Sequence, residues 1–199
     1  FAVKKIAITG SSGKTTLKEM VAAILAEVGE TLFTKGNLNN DIGVPLTLSR
    51  LNAQHQFAVI ECGANHVGEI AYTVNLVKPD VAVVNNVAPA HLEGFGSIDR
   101  VALAKGEIYS GLNAQGVAVI NLDDAYANQF LAQTHKLRQL TFSLRNPQAS
   151  VVADNLRCNA LGQYAFTVKM PEAQFDIQLP LLGQHNVRNA LAACALTLA

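Results

Sequence analysis

Four short runs of the chain are continuously apolar, and they restrict the possible folds more than any other feature of the sequence. The runs cover residues 6–8, 57–60, 81–84 and 117–120. A strand with one solvated face alternates apolar and polar residues, whereas a continuous run is typical of a strand covered on both faces. Because helical patterns lie between the runs, we predict an α/β fold with a mostly parallel sheet flanked by helices.

The last quarter of the chain has a different pattern. Candidate strands cover residues 151–156, 164–168 and 175–179, with turn residues at Gly162 and Pro171 between them. This spacing predicts a small antiparallel β appendage near the C-terminal end. The length of 199 residues, half of them hydrophobic, suits one main domain.

Composition argues against several classes of partner. The net charge is zero and the 15 basic residues are scattered, which disfavours nucleic acid and membrane surfaces. No stretch approaches the ~20 apolar residues of a membrane span, and no leader pattern opens the chain. The three cysteines lack metal-binding spacing and suit free thiols in a reducing compartment. We therefore expect a cytoplasmic, monomeric protein that binds small anionic ligands.

The segment that joins the first apolar run to a helical pattern has the composition of a phosphate-binding loop. It comprises Gly10, Ser11, Ser12, Gly13, Lys14, Thr15 and Thr16. Glycines allow the backbone to wrap a polyphosphate, the amides at a helix start favour an anion, and the lysine adds a positive charge. The loop is a short form, since Ile8 stands where the usual first glycine would be. A glycine-rich turn with an incidental lysine is the alternative. The helix that follows is predicted to bury an apolar face made of Leu17, Met20, Val21, Ile24, Leu25 and Val28.

Polar residues follow each predicted strand and should meet at one edge of the sheet. They are Thr9, Glu61, the pair Asn85–Asn86, and Asn121. Ligands of open parallel sheets bind beyond these carboxyl ends. Glu61 could therefore join Thr15 in holding Mg²⁺ with phosphate oxygens. Capping of a neighbouring loop is the alternative for Glu61.

Two further residues are candidates for chemistry. Lys105 falls within the apolar stripe of a helix that begins near Ser97, so burial should favour its neutral amine, which could react with CO₂ to give a carbamate. A packed stem with a solvated ammonium is the alternative. His91 is a lone histidine in a loop, and its spacing alone does not separate a functional role from a structural one.

Two asparagine-rich segments complete the candidates. The loop with Asn37, Asn39, Asn40 and Asp41 could orient a polar ligand or serve as a turn-rich connector. Asn186 and Asn189 lie three residues apart at the start of the last helix. Their amides could contact a purine edge or cap the helix.

Taken together, these segments resemble the central ATP-binding domain of the Mur ligase family, cytoplasmic enzymes that add amino acids to the peptidoglycan precursor. The resemblance covers nearly the whole chain: residues 9–16, 36–45, 61–66, 90–97, 104–108 and 185–189. The segments 37–45 and 91–97 are similar to the branch that joins UDP-N-acetylmuramoyl tripeptide to D-alanyl-D-alanine.

The resemblance implies a role for each candidate residue. The loop from Gly10 to Thr16, with Lys14 as a catalytic residue, would hold the ATP phosphates. Thr15 and Glu61 would hold one Mg²⁺, and His91 with a carbamylated Lys105 a second. Asn186 and Asn189 would contact adenine, and the loop with Asn37, Asn39, Asn40 and Asp41 would face the tripeptide.

Two other functions remain open from the sequence. A sibling Mur or folylpolyglutamate ligase would share the loop and the lysine but use another acceptor. A P-loop nucleotide switch would bind a nucleotide without ligation. The chain starts at Phe1 and stops at Ala199 within a helical pattern, so we expect residues 1–199 to be the central domain of a longer protein, inactive alone.

Overall fold

The computed structural model describes residues 3–89 and 92–199. Within these residues nine strands form one sheet. The strands are β1 (Lys4–Thr9), β2 (Thr31–Phe33), β3 (Phe57–Glu61), β4 (Val81–Val84), β5 (Val117–Asn121), β6 (Arg138–Ser143), β7 (Val151–Cys158), β8 (Gln163–Met170) and β9 (Ala173–Leu182). The helices are α1 (Lys14–Ala26), α2 (Gly43–Leu48), α3 (Glu69–Val77), α4 (Leu92–Phe95), α5 (Ile98–Gly106), α6 (Ala127–Gln133) and α7 (Gln184–Leu198), with a 3₁₀ helix at Glu107–Gly111.

The strand order in the sheet is β2-β3-β1-β4-β5-β6-β7-β8-β9. Strand β1 lies between β3 and β4 and pairs parallel with both. Because β1 stands where the chain reverses its direction across the sheet, the loop after β1 opens into the crevice that such reversals create. The predicted parallel α/β architecture is confirmed.

The three C-terminal strands form the predicted antiparallel part near the C-terminal end, in which β8 is antiparallel to both β7 and β9, and this part is continuous with the main sheet. Strand β7 pairs parallel with β6 at Phe142↔Val151 and Ser143↔Val152, so the main sheet continues into this part. Antiparallel pairing begins between β7 and β8 and continues to β9. The sequence pattern missed this continuity because it missed β6 itself.

Two apolar layers cover the sheet, one on each face. Ile6 and Ile8 of β1 belong to the layer that includes residues of α1 and α7. Ala7, between them, belongs to the opposite layer with residues of α3, α5 and α6. Both faces of the strand are therefore buried, which explains why its sequence is apolar without alternation.

Helix α1 buries a narrower face than the sequence predicted. Leu17, Val21 and Leu25 are buried, but Ile24 and Val28 are 42% and 69% exposed. Lys18 and Ala22 are buried in their place. The Lys18 Nζ lies 5.8 Å from the ring centroid of Phe33 in β2, so the buried face depends on tertiary neighbours and not on the helical period alone. Among the described residues, no helix combines the length and apolarity needed to cross a membrane.

Candidate functional site

The loop between β1 and α1 leads into a helix whose first amides have no hydrogen-bond partner among the described residues. Gly13 is the N-cap of α1 and has a φ of 73°, a left-handed conformation that favours glycine. Its carbonyl accepts the N–H of Leu17 at 2.9 Å, which begins the helical hydrogen bonding. The N–H groups of Lys14, Thr15 and Thr16 precede that bond and have no carbonyl partner within the helix. Together with the helix dipole they favour an anion at this position.

The ammonium of Lys14 lies against the same loop. Its Nζ donates to the carbonyl oxygen of Gly10 at 2.9 Å. Burial lowers the pKa of Lys14, and the negative charge of Glu61 opposes that shift. The structure therefore brings the lysine, the loop and the carboxylate of β3 together, as the strand-end rule predicted.

Glu61 ends β3 and is held by side chains from two other segments. Its carboxylate accepts the hydroxyl of Thr15 at 3.1 Å and the amide of Asn39 at 2.7 Å. Its own N–H donates to the Thr34 hydroxyl at 3.0 Å. The residue is only 1% exposed, so its orientation is determined by these partners.

The oxygen atoms of Thr15 and Glu61 fit a magnesium site of the kind that nucleotides complete. Mg²⁺ prefers oxygen ligands and is usually held by one or two carboxylates together with phosphate and water oxygens. Within residues 3–89 and 92–199, no group of three or more His, Cys, Asp or Glu side chains is arranged to hold a metal ion. His91, predicted to hold a second Mg²⁺ together with Lys105, lies outside the described residues.

Lys105 lies within the buried face of α5, as its place in the apolar stripe predicted. The residue is 2% exposed. Burial, followed by the positive charge of Lys14, lowers its pKa from 10.5 to about 8. The following Glu107 accepts the N–H groups of Gly68 at 2.7 Å and Ala71 at 3.0 Å, which ties this segment to the start of α3. Lys105 is thus a buried amine on a helix whose C-terminal end is hydrogen-bonded to the start of α3.

The four candidates in the asparagine-rich loop have different surroundings. Asn39 donates to Glu61, as described, and so supports the carboxylate directly. Asn40 accepts the N–H of Gly43 at 2.8 Å and caps the start of α2. Asn37 and Asp41 are exposed. Contact of this loop with a tripeptide therefore stays a prediction, and the structure adds a positioning role for Asn39.

Asn186 and Asn189 form a chain of amide hydrogen bonds at the start of α7. Asn186 donates to the Leu182 carbonyl at 2.8 Å and accepts from Asn189 at 3.0 Å. The Oδ1 of Asn189 accepts the Nδ2 of Asn85 at 2.9 Å. An ideal Cβ on Gly13 would lie 3.0 Å from that same Asn189 oxygen, so only a glycine fits here without displacement. These amides brace α7 against the loop, and their predicted contact with adenine stays a prediction.

A cavity of about 560 Å³ opens beside the loop, at the carboxyl ends of β1, β4 and β5. Its volume is in the range of small-molecule and cofactor sites. The residues that line it include Ser12, Gly13, Thr16, Asn85, Asn86, Asn121, Asp123, Asp124, His185, Arg188 and Asn189.

Four polar residues of this cavity were not among the sequence candidates: Asp123, Asp124, His185 and Arg188. The two aspartates brace loops, since Asp123 accepts the N–H of Leu144 at 2.7 Å and Asp124 that of Val87 at 2.7 Å. They follow the end of β5 closely, so the strand-end rule could have found them. Arg188 lies between the two asparagines of α7, within a segment that had already been singled out.

The fold and the site define a class of protein: an α/β domain with a mostly parallel sheet and a short P-loop between its first strand and first helix. The model of the Mur ligase middle domain matches residues 8–197. This chain belongs to the Mur ligase family, through the middle domain of that family.

Relatives within the family carry a more specific description. The chain is 51% identical to the UDP-N-acetylmuramoyl-tripeptide–D-alanyl-D-alanine ligase of Escherichia coli, over 97% of this chain and 42% of that protein. A crystal structure of MurF from Acinetobacter baumannii superimposes with a TM-score of 0.95 at 42% identity, over 100% of this chain and 43% of that one. MurF of Thermotoga maritima in complex with ADP has a TM-score of 0.83 at 27% identity, over 100% and 46%. The chain therefore spans about two fifths of the length of the curated relatives it matches.

Proposed function

We propose that this chain is the ATP-binding centre of a ligase that joins UDP-N-acetylmuramoyl tripeptide to D-alanyl-D-alanine in peptidoglycan precursor synthesis. The observation that carries the proposal is the meeting of Lys14, Thr15 and Glu61 beside the free amides of α1. A triphosphate needs this combination of fixed N–H donors, a cation and oxygen ligands for Mg²⁺. The names of the relatives supply the substrates.

The reaction requires no protein nucleophile. The terminal carboxylate of the tripeptide attacks the γ-phosphorus of ATP, the bond to the β–γ bridging oxygen breaks, and an acyl phosphate and ADP result. The amine of D-alanyl-D-alanine then attacks the acyl carbon. The tetrahedral intermediate loses phosphate and a proton to give the amide. Lys14 and the amides of the loop stabilise negative charge on the transferred group, which is the main contribution that proteins make to phosphoryl transfer.

Thr15 and Glu61 would hold one Mg²⁺, which neutralises phosphate charge when bound. For Lys105 we propose carbamylation: the ammonium first loses a proton, and the neutral amine then adds to CO₂ with loss of a second proton, so that a negative carbamate replaces a positive ammonium. Its lowered pKa makes the neutral amine accessible near neutral pH, and the nearby charge of Lys14 would then attract the carbamate rather than repel it. The carbamate would hold a second Mg²⁺ together with His91.

Residues 1–199 would form the central domain of a longer ligase, since the relatives are more than twice as long. Domains before and after this one would bind the uridine nucleotide and the incoming amine. The chain alone is then expected to bind nucleotide weakly and to give no ligase turnover. Both ATP and a UDP-linked precursor are cytoplasmic metabolites, which supports a cytoplasmic location.

The test is ADP release by the full-length ligase with Mg-ATP, measured with tripeptide and D-alanyl-D-alanine added singly and together. We expect release only when both are present, and none from the Lys14→Ala variant. Release with another amine in place of D-alanyl-D-alanine would indicate a sibling ligase. Release that needs neither substrate would contradict the ligase assignment and favour a nucleotide switch.

A further inference from the structure

The side chain of Asn86, in the segment after β4, binds both backbone polar groups of one residue of the phosphate-binding loop. Its Oδ1 accepts the N–H of Ser12 at 3.0 Å, and its Nδ2 donates to the carbonyl of Ser12 at 2.9 Å. Its Oδ1 also accepts the Ser12 hydroxyl at 3.2 Å. One amide therefore satisfies both backbone groups of a residue 74 positions away in the sequence.

The neighbouring residues extend this attachment. The Ser11 N–H donates to the carbonyl of Asn86 at 3.0 Å. The Ser11 hydroxyl donates to the Ala88 carbonyl at 3.0 Å and accepts the Ala88 N–H at 2.9 Å. The first half of the loop is thus fastened to the segment after β4, with its backbone N–H groups already used.

This attachment divides the loop into two parts with different functions. The amides of Ser11 and Ser12 donate to protein groups, whereas those of Lys14, Thr15 and Thr16, in the first turn of α1, donate to no group in the part of the chain that the structure describes. A polyphosphate can therefore bind at the free amides without breaking any hydrogen bond to Asn86. Because the loop is already held in shape, binding does not have to order it, and affinity gains from that preorganisation.

We propose that Asn86 is a positioning residue that preforms the phosphate-binding loop by binding the backbone N–H and C=O of Ser12. The proposal rests on the proposed function, since it assumes that the loop binds a nucleotide. Asn86 touches the loop and needs no contact with the transferred phosphoryl group. Its loss should therefore weaken nucleotide binding more than it slows the chemical step.

The experiment compares Asn86→Ala with wild type in the full-length ligase. We expect the KM for ATP to rise roughly tenfold, because hydrogen bonds of ordinary strength are lost. The kcat should stay within about threefold, since ground state and transition state lose the same support. Asn86→Gln retains the amide but displaces it by one methylene, so it should also raise the KM for ATP. Because it keeps a polar side chain, this variant replaces Asn86→Ala in the experiment if the alanine variant folds poorly.

A matched control lies at the opposite edge of the sheet. Asn113 also holds a loop through its side chain, accepting the N–H of Gln115 at 2.9 Å. Asn113→Ala removes an asparagine side chain that makes one local hydrogen bond far from the phosphate-binding loop, so its KM for ATP should match that of wild type. An equal rise in KM in both variants would overturn the proposal, as it would indicate general destabilisation.

A second readout does not depend on nucleotide. Amide hydrogen exchange of the nucleotide-free protein should show protection at Ser12, lost in Asn86→Ala and kept in Asn113→Ala. Unprotected Ser12 in wild type would refute the attachment itself. If Ser12 is protected but neither wild type nor Lys14→Ala binds ATP, the proposed function fails while the described contact stands.

Discussion

Removal of the Asn39 side chain tests how the carboxylate of Glu61 is held. In Asn39→Ala the hydrogen bond of 2.7 Å to Glu61 is lost. A hydrogen bond to a charged group contributes about 1.5–3 kcal/mol, and the loss is largest where water cannot replace the donor. Because Glu61 is 1% exposed, we expect the free energy of unfolding to fall by about 2 kcal/mol.

The same substitution should weaken the binding of magnesium. Partners that orient a metal-binding carboxylate typically contribute roughly 10- to 100-fold to metal affinity. We therefore expect the Mg²⁺ concentration for half-maximal ADP release by the full-length ligase to rise at least tenfold. Urea unfolding of the 199-residue chain, followed by circular dichroism, measures the stability change separately.

The control is Asn37→Ala, which removes an exposed asparagine from the same loop. Its stability and magnesium dependence should match those of wild type. Should the two variants behave alike in both assays, the carboxylate would not depend on Asn39, and the positioning role would be refuted. A stability loss without a change in magnesium dependence would separate the structural contact from the metal site.

Three further predictions concern the same edge of the sheet. Since folding lowers the pKa of Lys105 from 10.5 to about 8, Lys105 in the unfolded chain binds more protons between these values, and its contribution to stability rises with pH across that range. Urea unfolding at several pH values should therefore show that wild type gains stability relative to Lys105→Met as the pH rises from 8 to 10.5. Gly13→Ala should lose roughly 1–2 kcal/mol from its positive φ and also bind ADP more weakly, because the new Cβ meets Asn189. Gly162→Ala has a similar φ of 80° but no atom within 4 Å of the new Cβ, so calorimetric titration should show unchanged ADP binding. Asn189→Ala leaves the Oδ1 of Asn186 without its donor, and thermal unfolding should report a loss of about 1–3 kcal/mol.

The sheet could be predicted largely from local patterns. Continuous apolar runs identified β1, β3, β4 and β5, because burial on both faces determines their composition. The patterns missed β2, which has only three residues and lies at the sheet edge, and β6, where polar and apolar residues alternate from Gln139 to Ser143. These strands depend on their neighbours more than on their own composition.

The candidate site could be predicted where the direction of the strands determines which residues meet. The meeting of Thr15 with Glu61 follows from two parallel strands that end at one edge. The attachment of Ser12 to Asn86 does not, because it requires the direction of one side chain relative to a peptide far away in the sequence. The sequence placed Asn86 at the correct edge but could not indicate its partner.

The junction between β6 and β7 has a mechanical consequence for the domain. Only two residue pairs join these strands, whereas five join β5 to β6. Helix α7 packs on strands from both sides of this junction, including β5, β6, β7 and β9. Because α7 packs on both parts of the sheet, we expect the two parts to unfold together.

The position of α7 across this junction also has a thermodynamic consequence. The first turn of α7 holds the end of β9 through Asn186 and reaches the phosphate-binding loop through Asn189 and Asn85. A ligand that stabilises the loop therefore adds to the energy needed to open the antiparallel strands on the far side of the junction. Binding of a ligand at the phosphate-binding loop is in this way expected to stabilise the strands from β5 to β9 against which α7 packs.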